Sequence, residues 1–334
     1  MTRLDADTSE LTAVRPADGQ SSGPGPRSLL LAARDVPLGG VRAMEVHRAL
    51  PQRDLPMVGA WCFLDRFGPQ VTRMRVEPHP HIGLQTVTWP FLGEVRHRDS
   101  IGSDVVVRSG ALNLMTSGAG IAHSEYSVGE EAAPLDALQL WVALPESRRH
   151  GAPEFERHED LPIVDIPSDE GADAAAIVVL GALGDVVSPA TVHTPIVGAE
   201  LRVPGGTRVT LPLRPDWEYA LVGVDGTADA AATPGEQPVA VAREHLLYLG
   251  SSRDAIELSS AEGATLFLLG GEPFEDDIVM WWNFVGRTHE EIVEAREAWE
   301  AQSDRFGVVP GHGDVRIPAP PLPAVRLTAR RRRV

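Results

Sequence analysis

The side chains best placed to do chemistry lie in two short motifs, Pro78-His79-Pro80-His81 and Gly120-Ile121-Ala122-His123-Ser124-Glu125. Each sets two metal-capable residues at i and i+2. In an extended strand alternate residues point to one face, so each pair can aim both side chains into one cavity. Two such strands side by side supply three imidazoles and one carboxylate. That donor set suits a divalent transition metal such as Fe, Mn, Co, Ni, Cu or Zn.

The surrounding residues say how the ligands would be held. Pro78 and Pro80 lack backbone donors, which keeps the segment out of a central ladder and sets it at a sheet edge or barrel rim. Gly118 and Gly120 permit a tight turn before His123. From about Ser28, short apolar runs alternate with Gly, Pro and Asp turns. The expected strands include Leu84–Trp89, Asp104–Arg108, Leu138–Leu144, Ala176–Leu180, Glu200–Val203, Thr207–Leu211, Glu218–Val224 and Ala264–Leu269. Many short strands at this spacing indicate a sandwich or barrel. Leu138, Leu140, Val142 and Leu144 share one face, while Gln139 and Trp141 turn a second face to a cavity.

Residues 1–27 are rich in Ser, Gly, Pro and Asp and read as disordered. Pro145, Pro153 and Pro162, with several charges, mark a junction near Pro145–Asp165. The expected division is therefore 28–155 for a metal-binding domain and 156–308 for a second domain ending in a helix, with an extended tail over 309–334. The second half has no His-x-His, and His193 and His245 are far apart, so it is expected to serve as structure without metal. Thr288 and Glu291 form a capping box. Ile292, Ala295 and Trp299 then follow at helical spacing to about Ser303. The Pro318–Pro323 run reads as an extended arm packed along the surface.

Composition excludes several classes. A net charge of −17 argues against nucleic-acid binding by the bulk surface. No apolar run approaches the roughly 20 residues of a membrane span. The first 27 residues lack the apolar core of a secretory signal. The single cysteine, Cys62, forms no intrachain disulfide, which fits a cytoplasmic protein. It sits between Trp61 and Phe63, where a buried inert thiol is expected. Every basic residue is arginine, and Arg330–Arg333 read as a solvated tail. Asp99 and Ser100, after His97, read as turn residues bonding local backbone, in preference to holding a ligand imidazole in place. Trp281 and Trp282 are expected to pack a domain interface.

The order of motifs resembles the pirin family of the cupin superfamily. The resemblance rests on the run from Pro78-His79-Pro80-His81 through Thr88, on His97-Arg98-Asp99-Ser100, and on Met115-Thr116-Ser117-Gly118 through Glu125. It continues in Leu138–Pro145, Gly270-Gly271-Glu272-Pro273 and the helix after Thr288. It implies an all-β bicupin, two stacked β-barrel (jelly-roll) domains with a C-terminal helix. The N-terminal barrel would hold one metal, usually iron as Fe(II), through His79, His81, His123 and Glu125. Cupins often place a glutamate ligand four residues after the second histidine, where this chain has Gln85; that agrees with the pirin pattern of using Glu125. Pirins often carry Arg-Gly-Phe-Glu where this chain has Ile82-Gly83-Leu84-Gln85, a departure that bears on the pocket wall and the substrate. The resemblance implies quercetin 2,3-dioxygenase activity on a flavonol-like aromatic substrate and O2, with Glu125 as base. It also carries an alternative, a non-enzymatic, redox-responsive regulatory protein that binds iron and a protein partner. A third reading is another small-molecule enzyme on the same scaffold.

Overall fold

Short β-branched and leucine-rich runs punctuated by Gly and Pro become strands that pair antiparallel throughout their ladders. A computed structural model describes residues 25–38, 44–231 and 237–329. The strands of the first half are β1 (Pro26–Ala32), β2 (Arg34–Leu38), β3 (Met44–Leu50), β4 (Trp61–Thr72), β5 (Arg75–His81) and β6 (Leu84–Leu92). They continue with β7 (Glu94–Asp99), β8 (Asp104–Arg108), β9 (Leu112–Thr116), β10 (Ile121–Ser127), β11 (Ala133–Ala143) and β12 (Glu154–His158). One sheet runs β12-β9-β6-β11-β4-β3-β2 and the other β5-β10-β7-β8. Face to face, they make the first cupin barrel. A larger sheet spanning Ile163–Ile166 to Gly263–Gly271 makes the second.

Strand alternation sorts side chains between two environments. Val87 and Trp89 of β6 and Leu138, Leu140 and Val142 of β11 join Ile177, Val179 and Phe267 of the second barrel in one buried cluster. The alternate residues Gln139 and Trp141 face the interior of the first barrel, as the sequence pattern indicates. Two indoles tie the barrels together. Trp61 Nε1 donates to the Val197 carbonyl at 3.0 Å, and Trp89 Nε1 to Glu200 Oε2 at 2.8 Å. Both tryptophans are fully buried; truncating either to alanine would cost about 3–5 kcal/mol.

The chain is divided differently from the order of its sequence. β1 begins at Pro26, inside the segment expected to be disordered. It pairs with His245–Gly250 of the second barrel, Leu29 opposite Tyr248 and Leu31 opposite Leu246. Leu30 packs on the second barrel's core and Leu29 and Leu31 on the shared cluster, which is why this strand leaves the domain it precedes. β12 straddles the expected boundary at 155 and stays with the first barrel by pairing with β9. Residues 1–24 and the Arg330–Arg333 run lie outside the described residues.

The helix α1 (His289–Glu300) is shorter than the expected span. Thr288 caps it by accepting from Glu291 N, but Glu291 does not return the bond to Thr288. Its carboxylate accepts from Arg287 N at 2.7 Å and pairs with Arg149, so half of the box forms. Ile292, Ala295 and Trp299 are buried together with Ile82 and Ala122 of the first barrel. Trp281 and Trp282 pack into this same cluster. They therefore seal α1 onto the rim of the first barrel rather than joining the two barrels. The Pro-rich arm packs as expected: Ala319 N donates to Glu300 Oε1 at 2.8 Å, and Arg296 Nε to the Pro320 carbonyl at 2.7 Å.

Candidate metal centre

β5 is an edge strand of its sheet, the position its two prolines require. It pairs with β10 so that His79 stands opposite His123 and His81 opposite Ile121. The register shifts before Glu125, which faces Val76. This bulge places an extra residue on β5 at Glu77-Pro78 and re-aims the strand. The turn before β10 uses its glycines in two ways. Gly118 adopts φ +50°, whereas a Cβ on Gly120 would lie 2.8 Å from the Arg305 carbonyl. The first needs conformational freedom and the second needs space.

These strands bring His79, His81 and His123 together inside the barrel, while Glu125 groups with His123 and His97 and not with His79 and His81. His79, His81 and His123 have ring centroids 4.4–5.0 Å apart. Their ligand atoms form one metal-capable group, and His97, His123 and Glu125 form a second that shares His123. Among the described residues these two groups are the ones found, both in the first barrel. All five side chains are buried.

Each imidazole is oriented through Nδ1. His79 Nδ1 faces the Glu77 carbonyl at 2.9 Å, and His81 Nδ1 the Asn283 carbonyl at 3.1 Å. Donation to these oxygens leaves both Nε2 lone pairs aimed inward. His123 is held by another imidazole: its Nδ1 is 3.3 Å from His97 Nδ1, and His97 Nε2 is 3.0 Å from Asp99 Oδ2. With Asp99 accepting from His97 Nε2, His97 Nδ1 is placed to accept from His123 Nδ1, which leaves the His123 Nε2 lone pair free. The result is a carboxylate–imidazole–imidazole chain leading into the centre. His81 Nε2 and His123 Nε2 are 3.1 Å apart. Two lone pairs at that distance repel unless a cation lies between them, and cis ligands at ~2.05 Å from a metal would be separated by about that much. The donor set fits a divalent metal.

Burial sets the charge state of the site. It pushes His79 down to about 4, against a smaller opposing effect of the Glu77 carbonyl, and holds His81 and His123 well below the usual imidazole range. All three are therefore neutral, the form that binds metal. Burial raises the Glu125 carboxyl, opposed by the bond from Thr88. Asp99 goes the other way. Burial alone would raise it, but bonds from His97 and Ser103 hold it below the ordinary range.

The depressed imidazoles make the metal-free protein acid-sensitive. Unfolded His79 takes up a proton near pH 6.5 and folded His79 near 4, so stability is full above about pH 6.5 and falls as the pH drops toward 4. For a gap of about 2.5 pH units the loss is about 3 kcal/mol. Urea midpoints of chelator-treated protein are expected to hold from pH 8 to about pH 7 and then to fall toward pH 5. A profile that stays flat down to pH 5 would show that folding does not depress His79.

Aromatic rings line the remaining wall. Trp141 meets His81 edge-on at 5.2 Å and stacks on Phe63 at 4.0 Å, while Phe155 stacks on His97 at 4.6 Å. Cys62 is buried behind this wall, its thiol pushed up to about 12 chiefly by burial, as an inert side chain.

Three contributors were not evident from the sequence reading. Asp99 does bond local backbone, accepting from Ile101 N and Ser103 N, yet its other oxygen anchors His97. The signal was present: His97 and Asp99 have the same i, i+2 spacing as the ligand pairs. His97→Leu is expected to weaken metal affinity about 10–100-fold with all four predicted ligands intact; competition with a chelator measures it. The Asn283 carbonyl, in the hairpin Val279–Trp281/Phe284–Gly286, gives no sequence signal. His312, from the C-terminal segment, contacts Ser124 Oγ at 3.0 Å and Tyr126 Oη at 3.1 Å. These residues alternate with His123 and Glu125, so His312 braces β10 from outside.

Comparison with known proteins agrees with this architecture. The Pirin family model matches residues 43–142, and the model of the Pirin C-terminal cupin domain matches residues 198–307. A Pseudomonas aeruginosa protein provisionally named quercetin 2,3-dioxygenase is 41% identical over 297 residues, covering 88% of this chain and 90% of its own. The crystal structure of an Acinetobacter baumannii quercetin 2,3-dioxygenase superposes with a TM-score of 0.81 at 38% identity, over 89% of this chain and 97% of that one. A bacterial pirin of Escherichia coli, solved in complex with nickel(II), shares the fold with a TM-score of 0.53 at 16% identity, over 73% and 99% of the two chains. Two cupin barrels, a buried histidine-rich centre in the first and these matches together show that the chain belongs to the pirin family of the cupin superfamily.

Proposed function

We propose that His79, His81, His123 and Glu125 hold one divalent metal, iron(II) in the native protein. We further propose that the chain opens the ring of a flavonol-like substrate with dioxygen, as a quercetin 2,3-dioxygenase does. The observation that carries this reading is the cluster of three buried imidazoles, His79, His81 and His123, adjoining the buried Glu125 carboxylate through His123, inside a barrel lined by aromatic rings. The names of the Pseudomonas and Acinetobacter relatives support it. The nickel(II) complex of the E. coli pirin is in keeping with a divalent metal on this fold, and the same donors accept Mn, Co, Cu or Zn.

When bound, the metal supplies Lewis acidity to the substrate hydroxyl and the open positions that oxygen chemistry requires. The residues do the rest. Glu125, the buried carboxylate beside His123, takes the proton of the flavonol 3-hydroxyl. Thr88 Oγ1, 3.2 Å from Glu125 Oε1, steadies the carboxylate. The Asp99–His97 pair keeps His123 from turning. Trp141, backed by Phe63, forms an apolar wall beside His81 that excludes water.

Protein loaded with iron(II) under nitrogen and mixed with quercetin in air should consume both compounds and release carbon monoxide, at least about a hundredfold faster than free metal. Turnover no faster than free metal sinks the dioxygenase reading.

A further inference from the structure

Five residues on five neighbouring strands stand directly opposite one another. Asn113 of β9 faces Thr88 of β6, Thr88 faces Gln139 of β11, Gln139 faces Asp65 of β4, and Asp65 faces Arg48 of β3. Opposed residues share a face. Thr88 shows which face this is, because its hydroxyl reaches Glu125 Oε1. A polar row therefore crosses the inside of the first barrel, level with the candidate base.

Four members of the row have partners within it. Arg48 grips Asp65 with two bonds of 2.7 Å, and Thr88 also contacts Gln139 Oε1 at 3.0 Å. Asn113 is the exception. It is 2% exposed, and neither its Nδ2 nor its Oδ1 has a hydrogen-bond partner among the described residues. Because both ends are unpartnered, the orientation of the amide does not matter. An amide buried in this way destabilises the fold, and a leucine would fill the same space without that penalty. Residues that break a local rule in this manner concentrate at functional sites.

The neighbours of Asn113 describe what would complete it. On one side stands Thr88, whose hydroxyl reaches Glu125. On the other, Arg157 of β12 stands opposite Asn113 with its guanidinium paired to Glu159, and Met115, on the same strand face as Asn113, stands opposite Phe155, which stacks on His97. Trp141, on the same face as Gln139, stacks on Phe63. A free donor and a free acceptor beside flat apolar rings suit a planar aromatic ligand carrying a hydroxyl away from its metal-binding oxygens.

We propose that Asn113 is a specificity-determining residue that hydrogen-bonds a ring hydroxyl of the aromatic substrate and favours polyhydroxylated flavonols over unsubstituted ones. The choice of ligand rests on the function proposed above, but the test does not require turnover. Quenching of tryptophan fluorescence, measured anaerobically on metal-loaded protein, gives the affinity for quercetin and for 3-hydroxyflavone, which keeps only the chelating 3-hydroxyl and 4-keto oxygens. Asn113→Leu is expected to weaken quercetin binding about tenfold, the equivalent of one lost hydrogen bond. It should leave 3-hydroxyflavone within about twofold and raise the Tm by about 2–4 °C as an unpartnered amide is removed. Asn113→Ala, smaller than the native side chain, should repeat the selective loss and guards against a leucine that does not fit.

Unchanged quercetin binding in both variants overturns the proposal, as does an equal loss for both compounds, which would mark Asn113 as a packing residue. A wild-type protein that binds flavonols with the predicted selectivity but never turns them over sinks the dioxygenase reading and leaves this one standing. Turnover by wild type with unaltered binding in the variants does the reverse. Wild type that binds neither compound overturns both.

Discussion

His123→Ala is expected to empty the metal centre while leaving the barrel folded. His123 belongs to both metal-capable groups. Its ring lies 4.4 Å from His79, 5.0 Å from His81 and 5.1 Å from His97. It is also the point at which the Asp99–His97 chain enters the site. Removing it leaves two imidazoles and one carboxylate and takes away the partner of His97 Nδ1, while His97 Nε2 stays bonded to Asp99. Loss of a partner that merely orients a ligand costs about 10–100-fold in metal affinity, so loss of the ligand itself should cost more. Metal per chain, measured by mass spectrometry after desalting, should fall from near one to below about a tenth. The β10 ladder to β5 and β7 is made by backbone groups, so the circular dichroism spectrum should be preserved. Unchanged metal content would remove His123 from the ligand set.

Glu125→Gln should separate chemistry from metal retention. The substitution keeps shape and removes the negative charge and the proton acceptor. Three imidazoles held at Nδ1 remain, so most of the metal should stay. Without a base for the flavonol hydroxyl, turnover should fall by about 10²–10⁴-fold. The buried surroundings that raise the Glu125 carboxyl also favour the neutral amide, so the variant should be at least as stable as wild type in the absence of metal. Full activity in Glu125→Gln would place the base elsewhere.

Much of this centre was legible in the residues. The i, i+2 spacing of two ligand pairs fixes a shared face, and two prolines fix an edge strand; β5 shows both. The alternation in Leu138–Leu144 separates a buried hydrophobic face from a face turned to the cavity, and β11 shows that too. What was not legible depends on contacts distant in sequence. The pattern of β1 says that its leucines are buried, but not that the burial is against the second barrel. The carbonyl that orients His81 comes from Asn283, and backbone oxygens carry no residue signature. Glu291 shows a third kind of gap: its spacing from Thr288 predicts a reciprocal cap, but Arg149 and Arg287 N compete for the same carboxylate. Asn113 reads as an ordinary polar residue until its strand partners place it beside Thr88.

The central claim is that one metal sits among His79, His81, His123 and Glu125. Anomalous diffraction at the absorption edge of the bound metal tests it most directly, because His123 is shared by two candidate groups. The account predicts a single strong peak in the first barrel, about 2.0–2.2 Å from Nε2 of His79, His81 and His123 and from a Glu125 oxygen. A peak bonded to His97, or one away from His79 and His81, would contradict it.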